Sequence, residues 1–394
     1  MSKLVDCVEI LDSQRIPVSS ADRKKQKNKI YPYYGAQGVI DYVDEYIFDG
    51  EYILVAEDGN NLKALNESIV TWATGKIWVN NHAHILGEKE GFNLKYIYYL
   101  LRVMDLRGYI TGSDQPKLSQ ENLAKVELEL PPKPEQDRIA EMLSAMDEKI
   151  NNNNSIYDDL SSVLKLLFSY WFVQYNFPSK EGKPYKSSGS KLVWNDELHK
   201  EIPEDWEIKS LFEIADLDTN SVNPIEGLEY EHYSIPAFDS DCVPVIEDGA
   251  SIASNKYEVP DDSILISKLN PQFKRIWPIA NAKNGICSTE FCPIIGKTIS
   301  KSFLYCLLDG DEAYTYMVNS ASSSTGSRKR IQPEVLMKFR FAFPKDMEII
   351  NAFSNKTQNI IEQMIEIKKE NHIIREERDL LIPLLVTGAV SIKD

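Results

Sequence analysis

The side chains in this sequence best placed for chemistry are basic and amide groups in polar stretches broken by Gly and Pro. Such groups grip anions or hydrogen-bond the edges of flat polar rings. Between Arg15 and Lys29 the chain carries six bases, Arg23, Lys24, Lys25 and Lys27 among them, against one acid, Asp22. Within it, Arg23 to Lys29 reads as a phosphate-facing loop or as a plain solvated face. In "YPYYGAQG", Tyr33, Tyr34, Gly35, Ala36 and Gln37 form an aromatic-then-glycine turn. Its small residues allow close backbone approach, and Gln37 has the donor and acceptor to read an adenine edge. Equally, Tyr33 fits a core tyrosine under an ordinary turn. "NNHAH", with Asn81 and His82, and "TGSDQPKLS" (Thr111–Ser119) are polar and loop-like. "SKLNPQFKR" offers Lys268, Asn270, Lys274 and Arg275 around a proline. "ASSSTGSRKR" sets Ser323, Ser324, Thr325 and Ser327 before Arg328 and Arg330. Small hydroxyl residues let donors reach phosphates, and a guanidinium can fork onto a guanine. For these last two stretches, a flexible solvated loop is the competing reading.

Bond-making chemistry is poorly served. "NPQF" (Asn270–Phe273) is one residue from the Asn-Pro-Pro-aromatic motif of adenine methyltransferases, but no glycine-rich turn is present to hold a methyl donor. "GKT" (Gly296–Thr298) imitates the end of a P-loop, yet position 291 is Phe where the first glycine must stand. Cys287 and Cys292 with His232, or His82 with His84, match no zinc spacing; buried thiols and surface imidazoles are expected there, and no metal site. No nucleophilic triad or carboxylate cluster emerges, so no catalytic residue is assigned.

Composition narrows the class further. A chain of 394 residues is too long for one core of ordinary size and implies two or more folded units. No apolar run approaches the ~18 residues needed to span a bilayer, the first residues lack a signal peptide's apolar centre, and five unpaired cysteines fit a reducing cytoplasm. The net charge of −16 argues against a polyanion partner. The charge is uneven, however: residues 179–231 hold 13 acids and 6 bases, whereas 322–330 hold Arg328, Lys329 and Arg330 and no acid.

The elements that must position these loops are written twice, about 210 residues apart. "GEYILVAEDGN" (Gly50–Asn60) matches "DDSILISKLN" (Asp261–Asn270) as a strand, and "YIYYLLR" (Tyr96–Arg102) matches "FLYCLLD" (Phe303–Asp309) as a helix. "TGS" recurs at 111–113 and 325–327, and a proline-terminated strand, "ELELPP" or "FRFAFP", precedes a long helical pattern each time. In the first, Ile139, Leu143, Met146, Ile150, Asn153, Tyr157, Leu160, Leu164, Leu167 and Trp171 fall at steps of three and four. In the second, Ile350, Phe353, Thr357, Ile360, Met364, Ile367, Asn371, Ile374, Arg378, Leu381 and Leu385 do the same. A 3.5-residue repeat is a coiled-coil seam, and Asn153 and Asn371 interrupt it as register-setting polar residues do. Two amphipathic helices lying on their own domains remain the alternative. Pro383 should end or kink the second helix near its last turn. A seam of this length spans roughly 50 Å, enough to act as a ruler between two readers one helical turn of DNA, ~34–36 Å, apart.

"YPYYGAQGVID", "YILVAEDGN", "LPPKPEQDRIAEMLSAMDEKI", "IPEDWEIKSLFEI" and "LLIPLLVTGAV" together resemble the specificity subunit of type I restriction–modification enzymes. The resemblance implies an α+β protein: two globular α/β target-recognition domains held apart by a long antiparallel two-helix coiled coil, as a pseudo-two-fold internal repeat. The expected boundaries are 1–132 for the first recognition domain, 133–176 for the first helical region, 177–201 for a linker, 202–344 for the second recognition domain and 345–394 for the second helical region and tail. It also implies that the TGS-containing loop approaches DNA, which makes Thr111, Ser113, Gln115 and Lys117 candidate contacts, Lys117 to phosphate. Implied partners are double-stranded DNA, two methyltransferase subunits and restriction/translocase subunits, with no membrane. S-adenosylmethionine, ATP and Mg are expected on those partner subunits and no cofactor on this chain. Where the first unit has "YPYYGAQG" the second has "YSIPAFDS", so the two half-sites should differ. A non-catalytic coiled-coil protein–protein scaffold is the competing class, and the acidic charge suits it.

Overall fold

The computed structural model describes residues 1–59, 62, 69–322 and 328–392, which form a mixed α/β fold in two compact units. Unit 1 comprises Met1–Lys149 with Arg375–Asp394, and unit 2 comprises Ile150–Ile374.

Unit 1 is built on a six-stranded sheet in the spatial order Glu9–Ile10, Ala83–Gly87, Phe48–Ala56, Val70–Val79, Tyr31–Gly35, Gly38–Val43. Neighbours are antiparallel except Tyr31–Gly35, which runs parallel to Val70–Val79 through Tyr33↔Trp78 and Tyr34↔Val79. The central strand explains its own composition. Ile53 and Val55 enter a cluster with Leu4, Ile97 and Leu143, while Leu54 points the other way into one with Phe48, Ile77 and Ile85. A strand covered on both faces reads as an unbroken apolar run, here "YILVA". The helix Leu94–Val103 covers one face, capped by Asn93, whose side chain accepts the Tyr96 N–H.

Unit 2 repeats this strand order in two pieces and adds two strands, Ser221–Val222 and Lys256–Glu258. Ala215–Leu217, Phe291–Gly296, Ile264–Ser267 and Ile276–Pro278 make a four-stranded sheet. Ser221–Val222, Lys256–Glu258, Gly285–Cys287, Glu229–Tyr233 and Val245–Asp248 make a five-stranded one. The single strand Val70–Val79 of unit 1 therefore corresponds to two strands here, Ile276–Pro278 and Gly285–Cys287. The helix Lys301–Asp309, capped by Ser300, takes the place of Leu94–Val103.

Two long helices, Lys133–Phe168 and Met347–Val386, contribute to both units. Within unit 1, Ile139 and Leu143 share a cluster with Ile382, Leu385 and Val386, and Arg378 donates to Asp147 at 2.7 Å. Within unit 2, Asn153 donates to Asn371 at 2.9 Å, Asn371 to Asn154 at 3.0 Å, and Phe353 packs on Trp171. Partners descend on one helix as they ascend on the other, so the helices run antiparallel in each unit. The inner positions drift by one residue from the strict seam: Ile361 and Ile382 are buried where Ile360 and Leu381 were expected, as a 3.6-residue helix drifts against a 3.5-residue repeat. Pro383 does not end the second helix. It sits inside the last turn, and the helix closes at Val386.

The segment expected as a linker is folded into unit 2. Phe177 stacks on Tyr185 and Trp206, with ring centroids 4.7 and 5.2 Å apart, and Leu192–Asn195 pairs antiparallel with Lys200–Pro203. Its Ser, Gly and Pro residues mark tight turns, with Gly189 at φ +85°, and not a tether.

Candidate nucleic-acid interface

In unit 1 the fold gathers three of the candidate stretches at one end of the sheet. The Ala36–Gln37 turn closes the hairpin Tyr31–Gly35/Gly38–Val43, and the Asn80 N–H donates to the Tyr34 carbonyl. The turn at Asn81 and His82 follows, and the Glu57 N–H donates to the His82 carbonyl at 2.9 Å. The Leu118 N–H then donates to the Glu57 carbonyl at 2.9 Å. That bond seats the loop Thr111–Lys117, whose end residues exchange two backbone hydrogen bonds, 2.9 and 2.8 Å. Gly112, at φ +88°, makes the loop possible: a Cβ there would stand 2.3 Å from the Gln115 carbonyl oxygen.

A buried polar cluster braces this end. His84, fully buried, faces Asp12 through Nδ1 and the Leu118 carbonyl through Nε2 at 2.7 Å. Arg15 donates to Glu57 at 2.8 Å and to the Ala83 carbonyl at 2.9 Å, and Lys117 pairs with Glu57 at 3.1 Å. Burial would raise the Glu57 carboxyl, but hydrogen bonds from Arg15 and Lys117 outweigh it and hold the group below its ordinary value. Asp12, Glu57 and His84 bring potential ligand atoms within 4.8 Å of one another. Arg15 and Lys117 already engage the two carboxylates, so the donor set is that of an ion-pair network. His84 is thus a core residue and not the surface imidazole expected. The other suspected ligands separate as well: Cys287 and Cys292 are buried in different clusters, and burial pushes the Cys292 thiol up to about 12.

Unit 2 carries the same frame. The Lys268 N–H donates to the Glu290 carbonyl at 2.8 Å, the Ile331 N–H to the Lys268 carbonyl at 3.1 Å, and Ser322 and Arg330 exchange backbone hydrogen bonds of 3.0 and 2.9 Å. Glu57, His82, Thr111, Lys117 and Leu118 therefore correspond to Lys268, Glu290, Ser322, Arg330 and Ile331. The Ser288 N–H donates to the Tyr233 carbonyl as Asn80 does to Tyr34. Beyond Tyr233, the short helix Ile235–Ser240 replaces the hairpin turn.

Several candidate residues turn out to be engaged inside the fold. Tyr33 is 1% exposed, and its hydroxyl meets the Val18 N–H and carbonyl at 3.0 and 3.3 Å, so it is a core tyrosine and no surface contact. Gly35 is buried, and Tyr34 and Ala36 are half-buried. Arg23 pairs with Asp41 at 2.9 Å and lies over the Tyr33 ring; Lys25 pairs with Asp22. His82 bonds Asp58 at 2.7 Å. Arg275 forks onto Asp239, and Arg330 forks onto Glu290 at 3.0 and 2.6 Å, so neither guanidinium has its fork free for a guanine. Lys274 is held by Asp309, and Lys268 is half-buried, 5.9 Å from the Tyr257 ring centre. The Asn270 side chain accepts the Lys329 N–H at 3.1 Å and so holds the loop. Lys24, Lys27, Gln37, Asn81, Thr111, Ser113, Gln115 and Arg328 are exposed. Ser323, Ser324, Thr325 and Ser327 lie outside the described residues. Sequence reading counted Arg15 only as a base and missed Asp12, Glu57 and Glu290, which no local spacing links to it; laying the two repeats over one another would have placed Glu57 and Glu290 beside the loops.

The known proteins that resemble this chain are of one kind. Residues 1–161 match the family model described as type I restriction modification DNA specificity domain. The MjaIX specificity subunit of Methanocaldococcus jannaschii is 26% identical over 327 residues, 78% of this chain and 71% of that one. A putative type I specificity subunit of Haemophilus influenzae is 34% identical over 143 residues, 36% of each chain. A type I restriction–modification S subunit from M. genitalium shares the fold, with a TM-score of 0.64 at 16% identity over 98% of this chain and 95% of that one. Residues 1–161 are thus similar to a type I restriction modification DNA specificity domain, and the likeness to specificity subunits extends over most of the chain.

Proposed function

We propose that this chain is the DNA-reading, non-catalytic subunit of a type I restriction–modification enzyme, and that each unit reads one half of an asymmetric bipartite site. The carrying observation is the loop closed by the same backbone brace in both units, Thr111–Lys117 and Ser322–Arg330, with different side chains on it. A common frame presenting unlike groups reads unlike half-sites. Gln37, Asn81 and Gln115 are the amides offered in unit 1 for base edges, and Lys24, Lys27 and Arg328 the bases offered for phosphates. The assembly we propose adds two methyltransferase subunits and restriction/translocase subunits, which carry S-adenosylmethionine, ATP and Mg. Among the described residues no helix is long and apolar enough to cross a membrane, and we place the complex in the cytoplasm. The antiparallel helices act as a coiled-coil ruler that sets the spacer between half-sites.

Sequencing the methylated adenines of cells that express the chain with its methyltransferase partner tests this reading. One asymmetric motif split by a fixed spacer is expected; methylation without such a motif would sink it. The net charge of −16 favours a second reading, a protein–protein scaffold. The assembled DNA reader should lose affinity steeply as salt rises, whereas a scaffold shows no bipartite DNA protection at any salt.

A further inference from the structure

The two loops are latched by the same ion pair with its acid on opposite sides. In unit 1 the loop-closing base Lys117 meets Glu57, at the end of the central strand. In unit 2 the equivalent base, Arg330, meets Glu290, on the facing turn. The backbone bonds that equate Glu57 with Lys268 and His82 with Glu290 show what has happened. At the strand position unit 1 has an acid and unit 2 a base; at the turn position unit 1 has histidine and unit 2 an acid. Each position has changed character, and the contact to the loop base has been kept. Two halves of one chain thus act as their own aligned pair, and the pairing outlived the exchange.

From this compensation, and resting on the DNA-reading proposal, we infer that Glu57 and Glu290 are positioning residues for sequence recognition: each latches the base of a recognition loop through Lys117 or Arg330, which hold the loop and do not themselves touch bases. Three observations support the assignment. Arg330 spends both arms of its guanidinium on the Glu290 carboxylate. Glu290 lies below its ordinary value because of the Arg330 hydrogen bonds, partly offset by burial. In unit 1, Glu57 is itself fixed by Arg15, so the latch is tied to the strands Phe48–Ala56 and Ala83–Gly87. A loose latch leaves the exposed Gln115 in unit 1 and the exposed Arg328 in unit 2 present but badly aimed. Selectivity, more than bulk attraction to DNA, should then suffer.

The test uses the full chain with its methyltransferase partner, read by methylome sequencing, so that the half-site of the other unit serves as an internal control. Glu290→Gln should make one half of the motif degenerate, with methylation at sites bearing one mismatch there rising about tenfold, the order set by a single mismatched base pair. The other half should stay strict. Adding Lys268→Glu to Glu290→Gln rebuilds the acid at the position unit 1 uses and should restore the degenerate half. If methylation is lost altogether in the single variant, recovery in the double variant supports the latch and failure to recover overturns it. An unchanged motif in Glu290→Gln also overturns it, as does loss of strictness in both halves. A wild-type chain without a bipartite motif removes the DNA-reading proposal and the latch with it, whereas a normal wild-type motif unmoved by Glu290→Gln removes the latch alone.

Discussion

Tyr33 illustrates why residue type and position in a turn are not enough to assign a contact. An aromatic next to a glycine turn suits a stacking surface equally well, and only its burial and its bonds to Val18 decide. Tyr33→Phe should cost about 1–3 kcal/mol of stability, since the Val18 N–H loses its acceptor, while the methylated motif stays the same; denaturant unfolding beside methylome sequencing checks both halves of that statement. Gly112 is the opposite case. Its φ of +88° and the 2.3 Å approach mean that Gly112→Ala must reshape the loop, yet the site is exposed and outside the core. We expect Tm to change little and one half-site to lose strictness; an intact motif would show that the loop's shape does not matter. Three charged candidates, Arg23, Arg275 and Arg330, are paired inside the fold, and they went unread for a shared reason. Sequence shows a base but not the acid the fold brings to it, and Asp41, Asp239 and Glu290 lie 18, 36 and 40 residues from Arg23, Arg275 and Arg330.

At the scale of elements, periodicity carried the reading well where one face decides. The two long helices, the strand "YILVA" and the helix "YIYYLLR" each announce burial through spacing that survives folding. Small elements were less legible: the pairs Ser2–Lys3 with Glu127–Leu128 and Trp206–Ser210 with Arg340–Pro344 join residues more than a hundred apart. Composition misled in the Ser/Gly/Pro/Lys segment after Phe177, because the same residues build turns and tethers. The buried asparagines test the helix pair. Asn371 is fully buried and both donates and accepts across the pair, so Asn371→Ala should destabilise by about 1–3 kcal/mol through orphaned partners. Replacing Asn153 and Asn371 together by Leu should be neutral or stabilising while loosening register. Thermal unfolding of the two variants separates these outcomes, and a double variant worse than the single one would deny the asparagines a register role.

For the whole molecule, the repeat is the most informative feature, because it lets one half of the chain interpret the other. The repeat was legible as matched strings at a fixed offset; the order of strands in the sheets and the division of one strand into Ile276–Pro278 and Gly285–Cys287 were not, since neither leaves a periodic signal. The ruler proposal makes its prediction here. Four residues inserted into the seam add about 6 Å of helix and should lengthen the spacer in the methylated motif by roughly two base pairs. A spacer of unchanged length would count against the ruler.

Unit 1 takes its final pieces, Ile382, Leu385, Val386 and the carbonyl that receives the Tyr96 hydroxyl, from the far side of unit 2 in the chain. A ribosome working at ~5–20 residues per second releases the sequence of unit 1 first, yet the plug for its core emerges only after unit 2 has been made. Synthesis order and completion order are therefore reversed. A nascent chain stalled at Ile374 should hold a protease-resistant unit 2 and a protease-sensitive Met1–Lys149, and a peptide of residues 375–392 supplied in trans should protect the latter.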